Sequence, residues 1–317
     1  MRQATVVYNP YAGQVNLSAT VELVADMWRA RGWDVHLQPT QWAGHAKALA
    51  QEAAKAGIDV VLAAGGDGTL GEVAHGIVGS NTILAPLPVG TSNSFARELQ
   101  LPRPTWFARN RLLETAALLL DGRVQQMDMG YLAVTDRHWL LWAGVGADGY
   151  IVENIEPRPL WSKRLGKLGY TIQALAVAWR MPRMKVDLSV DDRSQSGTYL
   201  LVLISNTRLY AGGELLMNKT AQLDDGQFDI WLFEGTGLLH ALSYIWQIKR
   251  GKEEIRGLHK LNGRSITITA TPNVLYQIDG EKGGHTPLTC ELKPRALRLL
   301  VPQTTPADLF KEPGQPL

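Results

Sequence analysis

The stretch Gly65-Gly66-Asp67-Gly68-Thr69 decides the fold of this 317-residue chain. It follows the apolar run 60–64. The residues after it include apolar ones at helical spacing, namely Leu70, Val73, Ala74 and Ile77. A buried strand, a glycine-rich turn and a helix opening at Thr69 predict a phosphate cradle, because glycines allow close backbone approach and a helix start presents unpaired N–H groups. Asp67 would repel phosphates unless a cation or donor lay between them, which favours a metal–nucleotide complex.

Other readings of this turn fit less well. Gly66-x-Gly68-x-x-Gly71 matches a dinucleotide fingerprint, but it follows the third predicted strand, and the region ILAPLPVGTSN holds no acid for the ribose. The pairs Gly166-Lys167 and Gly251-Lys252 lack the hydroxyl residue of a P-loop. A plain tight turn is the remaining alternative, and three glycines, an Asp and a Thr in five residues disfavour it.

The composition is that of a globular protein with a core, at 45% apolar and 20% charged residues. A net charge of +2 implies no field for nucleic-acid binding. Cys290 is the only cysteine, which excludes an intrachain disulfide and favours a cytoplasmic location. No apolar run approaches the ~18 residues of a membrane span. The ten tryptophans favour core or pocket positions over a bilayer interface.

The first part of the chain alternates strands and helices. The predicted strands are 4–8, 34–37, 59–64 and 82–87, and the predicted helices lie around 21–28, 45–55, after 69 and at 112–120. This alternation predicts an α/β domain over residues 1–127, with helices covering a parallel sheet. Ligands bind beyond the carboxyl ends of such strands, where loops 9–13, 65–69 and 90–93 are expected.

Short alternating runs dominate from residue 128 and predict an antiparallel β-sandwich or barrel over 128–294. Helices are predicted at about 165–180 and 238–249. The sequence leaves two alternatives for the last predicted strand, 295–301: it belongs to the second domain, or it returns to the sheet of the first domain. The tail 302–317 is rich in Pro, Gly and Gln, which predicts disorder.

Motifs along the whole chain resemble one kinase superfamily. Residues 65–69 resemble the GGDGT signature of the diacylglycerol, sphingosine and NAD kinases and the phosphofructokinases. The lipid kinase branch is favoured by five further matches, at Asn9-Pro10-x-x-Gly13, Thr40-x-x-x-Gly44-His45-Ala46, Pro88-x-Gly90-Thr91-x-Asn93-x-Phe95-Ala96-Arg97, Gly144-x-Gly146-x-Asp148 and Asp279-Gly280-Glu281. Residues 206–213 with 223–226 resemble a later family loop. The resemblance to bacterial diacylglycerol kinases implies an α/β nucleotide domain followed by a β-sandwich, with the active site between them.

The resemblance also implies site residues. The ATP contacts would be Asn9, Thr40, Gly65, Gly66, Asp67, Gly68, Thr69, Leu70, Gly71, Thr91 and Asn93. Asp67 would act through magnesium or by ordering its loop, and both roles stay open. Glu281 would be the catalytic general base, with a simple hairpin turn at Asp279-Gly280 as the alternative.

A structural magnesium is implied in the second domain. Asp225 would supply a carboxylate, and Gln222 and Gln227 would supply backbone carbonyls. Hard oxygen ligands suit this ion, and a solvated Asp-Asp-Gly turn is an equal alternative. Ser94 departs from the family pattern, which has Asp there, and this leaves the lipid open.

The implied function is an ATP- and magnesium-dependent lipid kinase that transfers the γ-phosphate to a lipid hydroxyl, with diacylglycerol as the expected acceptor. Sphingoid bases, ceramide and phosphatidylglycerol are alternative acceptors. A NAD kinase-like enzyme and a non-catalytic nucleotide- or lipid-binding protein are alternative functions. The expected setting is cytoplasmic with transient peripheral membrane association and no nucleic acid, and a homodimer stays open.

Overall fold

A parallel sheet forms the core of the first half. The computed structural model describes residues 1–12, 17–90, 93–103, 111–155 and 183–317. The elements of the first half are β1 (Arg2–Tyr8), α1 (Leu17–Arg29), β2 (Trp33–Pro39), α2 (His45–Lys55), β3 (Val60–Gly65), α3 (Asp67–Ile77), β4 (Ile83–Pro88), α4 (Ser94–Glu98) and α5 (Arg111–Leu120). The strands run in the order β4-β3-β1-β2, all parallel.

Helices cover both faces of this sheet. One face packs its apolar side chains against α1 and α5, which bury Trp28 and Leu119. The other face packs against α2 and α3, which bury Ala50 and Val73. Since β3 is buried on both faces, its sequence Val60–Gly65 is continuously apolar rather than alternating.

The second half is antiparallel. Its main elements are β5 (Arg123–Leu132), β6 (Arg137–Trp139), β7 (Trp142–Gly146), α6 (Ala147–Ile155), β8 (Met184–Val190), β9 (Arg193–Ser205), β10 (Leu209–Tyr210), β11 (Leu215–Leu216), β12 (Phe228–Glu234), α7 (Gly237–Lys249), β13 (Leu258–Gly263), β14 (Ser265–Thr271), β15 (Leu275–Ile278), β16 (Glu281–His285), β17 (Leu288–Val301) and β18 (Gln315–Pro316). A second core lies among these strands and includes Trp139, whose ring stacks on Phe228. The mixed α/β architecture with an antiparallel second half is the predicted fold class.

Two long strands connect the halves. β17 pairs antiparallel with β14 at its start and parallel with β4 at Arg298 and Leu299. β5 runs antiparallel to β17 along both halves. Residues 127 and 294, which end the predicted domains, therefore lie inside hydrogen-bonded strands.

The prediction of a disordered tail is wrong. Leu309 and Phe310 are 1% and 4% exposed, and the last residues of the tail pair with β5 as β18. Composition misled the prediction because a few buried contacts hold the tail. The Leu223 N–H donates to the Leu309 carbonyl at 2.9 Å, and Asp224 accepts from the Lys311 and Glu312 amides.

Some predicted features cannot be compared with the structure. The helix at 165–180 and Thr91 lie outside the described residues. The short helix α4 and the helix α6 had no counterpart in the sequence pattern. In the described ranges, no helix combines the length and apolar character needed to cross a bilayer.

Candidate active site

The glycine-rich turn lies between a strand end and a helix start. β3 ends at Gly65 and α3 begins at Asp67, and among the described residues no side chain caps this helix at Gly66. A Cβ atom on Gly65 would lie 2.5 Å from the Cβ of Thr69, so only glycine fits. The amides of the first turn of α3 therefore stay available to an anion, at the positive end of the helix dipole.

Two neighbouring strand ends bring polar residues to the same edge. The Thr40 N–H donates to the Tyr8 carbonyl at 2.8 Å, and the Asn9 N–H donates to the Ala64 carbonyl at 3.3 Å. The Asn9 side chain accepts from the Tyr11 amide at 2.9 Å and orders its own loop. Because β1 lies between β2 and β3, Asn9 is next to the glycine turn, and Thr40 lies one strand further along the same edge of the sheet.

The loop after β4 packs directly on that turn. A Cβ atom on Gly90 would lie 2.7 Å from the Cα of Gly66, so the two backbones are in contact. Asn93 has a φ of 47° and is 4% exposed. Its Nδ2 donates to the Gly90 carbonyl, and its Oδ1 is buried without a partner in the described part of the chain. An unpaired buried acceptor costs about 1–3 kcal/mol, which a ligand donor would recover.

Backbone donors engage both carboxylate oxygens of Asp67. The Ser94 amide donates to Oδ2 at 2.9 Å, and the Phe95 amide donates to Oδ1 at 3.2 Å. Asp67 thus caps the start of α4. Of the two roles that the sequence left open, the loop-ordering contact is present. Ser94 itself is buried, at 4% exposed.

Glu72 of α3 orders the second motif, a role that the sequence did not reveal. Its two carboxylate oxygens accept from the amides of Gly44 and Ala46, at 3.0 and 3.1 Å. His45 accepts from the Gln41 amide through Nδ1 at 3.1 Å, so it holds a turn. One feature of the sequence could have predicted this contact. The helix α2 begins after Gly44, which has no side chain to cap it, so the first amides of the helix need an acceptor from elsewhere.

Glu281 reaches the glycine turn from the second half. Its Oε1 lies 3.3 Å from the position that a Cβ atom on Gly68 would take. The Arg137 guanidinium donates to its Oε2 at 2.9 Å and to the Ile278 carbonyl at 3.3 Å. Sequence analysis missed Arg137, since nothing in the chain pattern links positions 144 residues apart.

Asp279 holds the turn before Glu281. Its carboxylate accepts from three successive amides, Leu140, Leu141 and Trp142, at 2.9, 2.8 and 3.2 Å. Asp279 and Gly280 both have positive φ, at 52° and 84°, as in a two-residue hairpin turn. The turn joins β15 to β16. The hairpin turn and the position of Glu281 beside Gly68 are therefore both present, and one does not exclude the other.

Asp148 supports the same turn from α6. Its Oδ2 accepts from Gln277 Nε2 at 2.6 Å, and Gln277 Oε1 accepts from the Gly280 amide at 2.6 Å. Burial raises the pKa of Asp148 to about 6, against its hydrogen bonds from Tyr210 and Gln277. A Cβ atom on Gly144 would lie 2.1 Å from this carboxylate, which accounts for the glycine of the motif.

His75 lies further along α3, and its ring accepts a hydrogen bond from the backbone. Its Nδ1 accepts from the His138 amide at 2.9 Å. Burial, helped by the Lys47 charge, lowers the pKa of His75 to about 4. The ring is therefore neutral at neutral pH and is a poor proton acceptor in turnover.

α4 ties the nucleotide side to the second half. Glu98 is buried, and its carboxylate accepts from the amides of Arg208 and Leu209 at 2.9 and 3.0 Å. Arg97 donates to the Gly213 carbonyl at 3.2 Å and pairs with Glu214 at 2.8 Å. The later family loop thus rests on the helix that Asp67 caps.

The predicted metal ligands lie in a separate loop. Asp225 is half-buried, and its Oδ1 accepts from the Gln227 amide at 2.9 Å. Burial raises the pKa of Asp225, and the charges of Asp128, Asp229 and Asp224 raise it further.

A hard cation fits this acidic, oxygen-rich surrounding. The described residues contain no cluster of three His, Cys, Asp or Glu side chains with metal-site geometry, so any ion here would rely on carbonyls and water. Gln222 and Gln227 are partly exposed and exposed, respectively, in that same loop.

Comparison with known proteins covers nearly the whole chain. Residues 3–132 match the diacylglycerol kinase catalytic domain, and residues 143–301 match the YegS C-terminal NAD kinase beta sandwich-like domain. A diacylglycerol kinase of Bacillus subtilis (strain 168) is 28% identical over 90% of this chain and 92% of that protein. A diacylglycerol kinase of Staphylococcus haemolyticus (strain JCSC1435) is 27% identical over 98% of this chain and 90% of that protein.

Solved structures share the fold. A crystal structure from Bacillus anthracis str. Sterne has a TM-score of 0.74 and 24% identity, and it covers 96% of this chain and 98% of that one. Another, of a diacylglycerol kinase from the same source, has a TM-score of 0.68 and 22% identity, with the same coverage.

The fold and the two matched domain models place the chain among the phosphotransferases. The chain belongs to the diacylglycerol kinase family and is an ATP-dependent lipid kinase.

Proposed function

We propose that this kinase transfers the γ-phosphate of ATP to the free hydroxyl of diacylglycerol and forms phosphatidic acid. The approach of Glu281 to the glycine turn carries the proposal, because it sets a carboxylate 3.3 Å from the Cβ position of Gly68 at the start of α3. The names of the relatives from Bacillus and Staphylococcus support diacylglycerol as the acceptor.

The chemistry follows from this arrangement. The amides of Gly66, Gly68 and Thr69 hold the ATP phosphates, and Asn9, Thr40 and Asn93 border the nucleotide. Glu281 takes the proton of the lipid hydroxyl, the oxygen bonds to the γ-phosphorus, and the bond to the β-phosphate oxygen breaks to release ADP. Arg137 holds the carboxylate of Glu281 in place.

Magnesium belongs to the proposal in two places. A divalent cation bound with ATP would offset the charge of the phosphates, and Asp67 and Asn93 would be the side chains that hold its water shell. In the second half, Asp225 with the carbonyls of Gln222 and Gln227 would hold a structural ion. The acidic surroundings of Asp225 support that assignment.

Ser94 supports testing other acceptors. It is buried next to Asp67, and a serine hydroxyl replaces the family carboxylate at this position. The loss of a carboxylate here favours an acceptor with an anionic headgroup, such as phosphatidylglycerol, and the comparison includes ceramide as an uncharged acceptor and a sphingoid base as a cationic one.

The test is labelled ATP with each lipid in detergent micelles, and chromatography separates the lipid products. We expect labelled phosphatidic acid from diacylglycerol to be the fastest product, formed at least about a hundredfold more slowly by Glu281→Gln. Faster labelling of another lipid by the wild type would replace diacylglycerol as the acceptor. Equal labelling by the Glu281→Gln variant would remove Glu281 from the mechanism.

A further inference from the structure

The helix α7, Gly237–Lys249, exposes large apolar side chains, whereas an ordinary surface helix exposes a polar face. Tyr244 is its one buried residue, and the Tyr244 hydroxyl donates to the carbonyls of Glu234 and Gly257 at 2.9 and 2.8 Å. Ala241 and Ile248 pack partly against the core on the same side. Since these contacts fix the inward face, the opposite face of the helix points to solvent.

That outward face is apolar. Leu239 is 82% exposed and Trp246 is 50% exposed, and their spacing of seven residues puts them on one line along the helix. Leu242 and Ile245 are 41% and 39% exposed beside them. We call Leu239, Leu242, Ile245 and Trp246 the α7 stripe. Contiguous exposed side chains of this size mark an interaction surface rather than scattered surface hydrophobes.

Basic groups follow the stripe. Lys249, Arg250 and Lys252 end the helix and its turn, and the segment 235–252 contains no acid; Glu253 and Glu254 come after it. The Arg250 guanidinium lies 3.9 Å from the centre of the Trp246 ring, and the Lys252 ammonium lies 5.9 Å from it. An apolar stripe with a tryptophan and cations at one end matches the interface of an anionic bilayer.

The stripe is connected to the catalytic side. α7 packs against β11, where Leu216 is 44% exposed, and β11 pairs with β10. Glu98 of α4 accepts from the Leu209 amide of β10 at 3.0 Å. Two packed elements therefore separate the stripe from the helix that Asp67 caps.

We propose that the α7 stripe is the surface by which this kinase docks on membranes that contain anionic lipids. The apolar side chains insert at the level of the headgroups, and the cations contact lipid phosphates, each contributing about 1 kcal/mol near an anionic surface. The lipid kinase activity of the family guides the choice of occupant. The charge pattern favours an anionic bilayer over a second copy of the chain, because the segment 235–252 contains no acid that a second copy could offer to these cations.

The experiment is flotation of the full chain with vesicles of phosphatidylcholine alone or mixed with phosphatidylglycerol. We expect the wild type to float with the mixed vesicles, and the triple variant Leu239→Gln, Leu242→Gln, Trp246→Gln to lose at least about tenfold in vesicle affinity. Leu23→Gln is the matched control, since Leu23 is a helical leucine, 54% exposed, on α1. Lys249→Gln should weaken binding to the mixed vesicles alone, whereas Lys55→Gln, also the last residue of a helix, should not.

Activity separates this inference from the proposed function. The triple variant should keep wild-type activity on lipid in detergent micelles and lose it on vesicles. Equal flotation of the triple variant and the wild type would overturn the docking surface whatever the substrate is. A wild type that does not float would overturn it too, as would a concentration-dependent dimer that the triple variant abolishes.

Trp246→Phe gives a second measurement, which reports where Trp246 lies relative to the acyl chains rather than how tightly the protein binds. This variant should still float, and it should lose most of the fluorescence quenching that bromine-labelled acyl chains cause in the wild type. Quenching that is unchanged in Trp246→Phe would place another tryptophan, and not the stripe, in the bilayer.

Discussion

The two sides of the candidate active site are built by different means. The proposed donor side, Gly65–Thr69, is formed by the backbone of one strand–turn–helix unit, and Gly65 is needed there because a Cβ would lie 2.5 Å from the Cβ of Thr69. The acceptor side, Glu281, is held by side chains that come from several distant elements, including Arg137, Asp148 and Asp279. The donor side should therefore fail when atoms are added, and the acceptor side should fail when polar atoms are removed.

The largest effect is expected at Glu281. Glu281→Gln keeps the shape but removes the proton acceptor, so kcat should fall by about 10²–10⁴-fold. The melting temperature should stay near that of the wild type, because the side chain is exposed. Glu153→Gln, which breaks the neighbouring ion pair to Lys282, is the control and should retain activity. Near-wild-type turnover by Glu281→Gln would falsify the general-base role.

Two glycines of the same motif should respond in opposite ways. Gly65→Ala forces a Cβ to 2.5 Å from Thr69 Cβ and should destabilise the protein by about 1–3 kcal/mol. Gly71→Ala meets its nearest atom at 3.9 Å inside α3 and should be neutral or stabilising by up to about 1 kcal/mol. Chemical denaturation measures both, and similar losses would contradict the steric explanation.

Asp148 makes stability depend on pH. Its pKa is raised from 3.8 to about 6 in the folded chain, so the neutral carboxyl is favoured by folding. Its contribution is full below pH 3.8 and is lost as the pH rises through about 6, by on the order of 1–3 kcal/mol. Asp148→Asn should therefore gain stability relative to the wild type from pH 4.5 to about 7. A constant difference in unfolding free energy over this window would contradict the shift.

Arg137 tests how far the acceptor side depends on positioning. Arg137→Gln removes the donor to Glu281 Oε2, and kcat should fall about fivefold, since a partly exposed ion pair contributes at most about 1 kcal/mol. Arg137→Lys should recover part of the loss, and Lys282→Gln, on the strand β16 that carries Glu281, should have little effect. A change in KM for ATP alone would assign Arg137 to the nucleotide rather than to Glu281.

Asp225 is expected to give the smallest effect. If the loop holds a structural ion, magnesium added to chelator-treated protein should raise the melting temperature of the wild type by about 2 °C and that of Asp225→Asn by less. Asp229→Asn would be a poor control because Asp229 pairs with Lys260, so Asp192→Asn in the exposed turn between β8 and β9 is used. Equal shifts in wild type and Asp225→Asn would discard the site.

Local patterns predicted the strand and the helix around the glycine turn well, but they did not predict the contacts that hold Glu281. The limits of α2 were predicted to the residue, and the strand end that carries Asn9 followed from the alternation of apolar runs. The second strand was predicted to end at residue 37, whereas β2 ends at Pro39, so the strand end before Thr40 was missed. The five-residue helix α4 is too short to show a periodic pattern. Arg137 and Glu72 escaped prediction because their partners are far away in the sequence, and side-chain contacts over such separations leave no periodic trace.

The tail shows why composition misleads. Its Pro, Gly and Gln content predicts disorder, yet Leu309 and Phe310 are buried, and two amides of the tail cap the Asp224 carboxylate. A few specific contacts outweigh an average over sixteen residues. The same reasoning applies to α7, whose sequence predicts a helix but not which of its faces is left uncovered.

The two strands that cross between the halves limit how this enzyme can be rebuilt. The family matches end at residue 132 and begin again at residue 143. If another acceptor domain were grafted at either point, β5 would come from this protein and its partner β17 from the other, so the two strands would no longer be matched to each other. Residues 288–301 would have to match the incoming sheet at one end and β4 at the other. Acceptor preference in such a kinase is therefore more readily exchanged through loops than through whole domains.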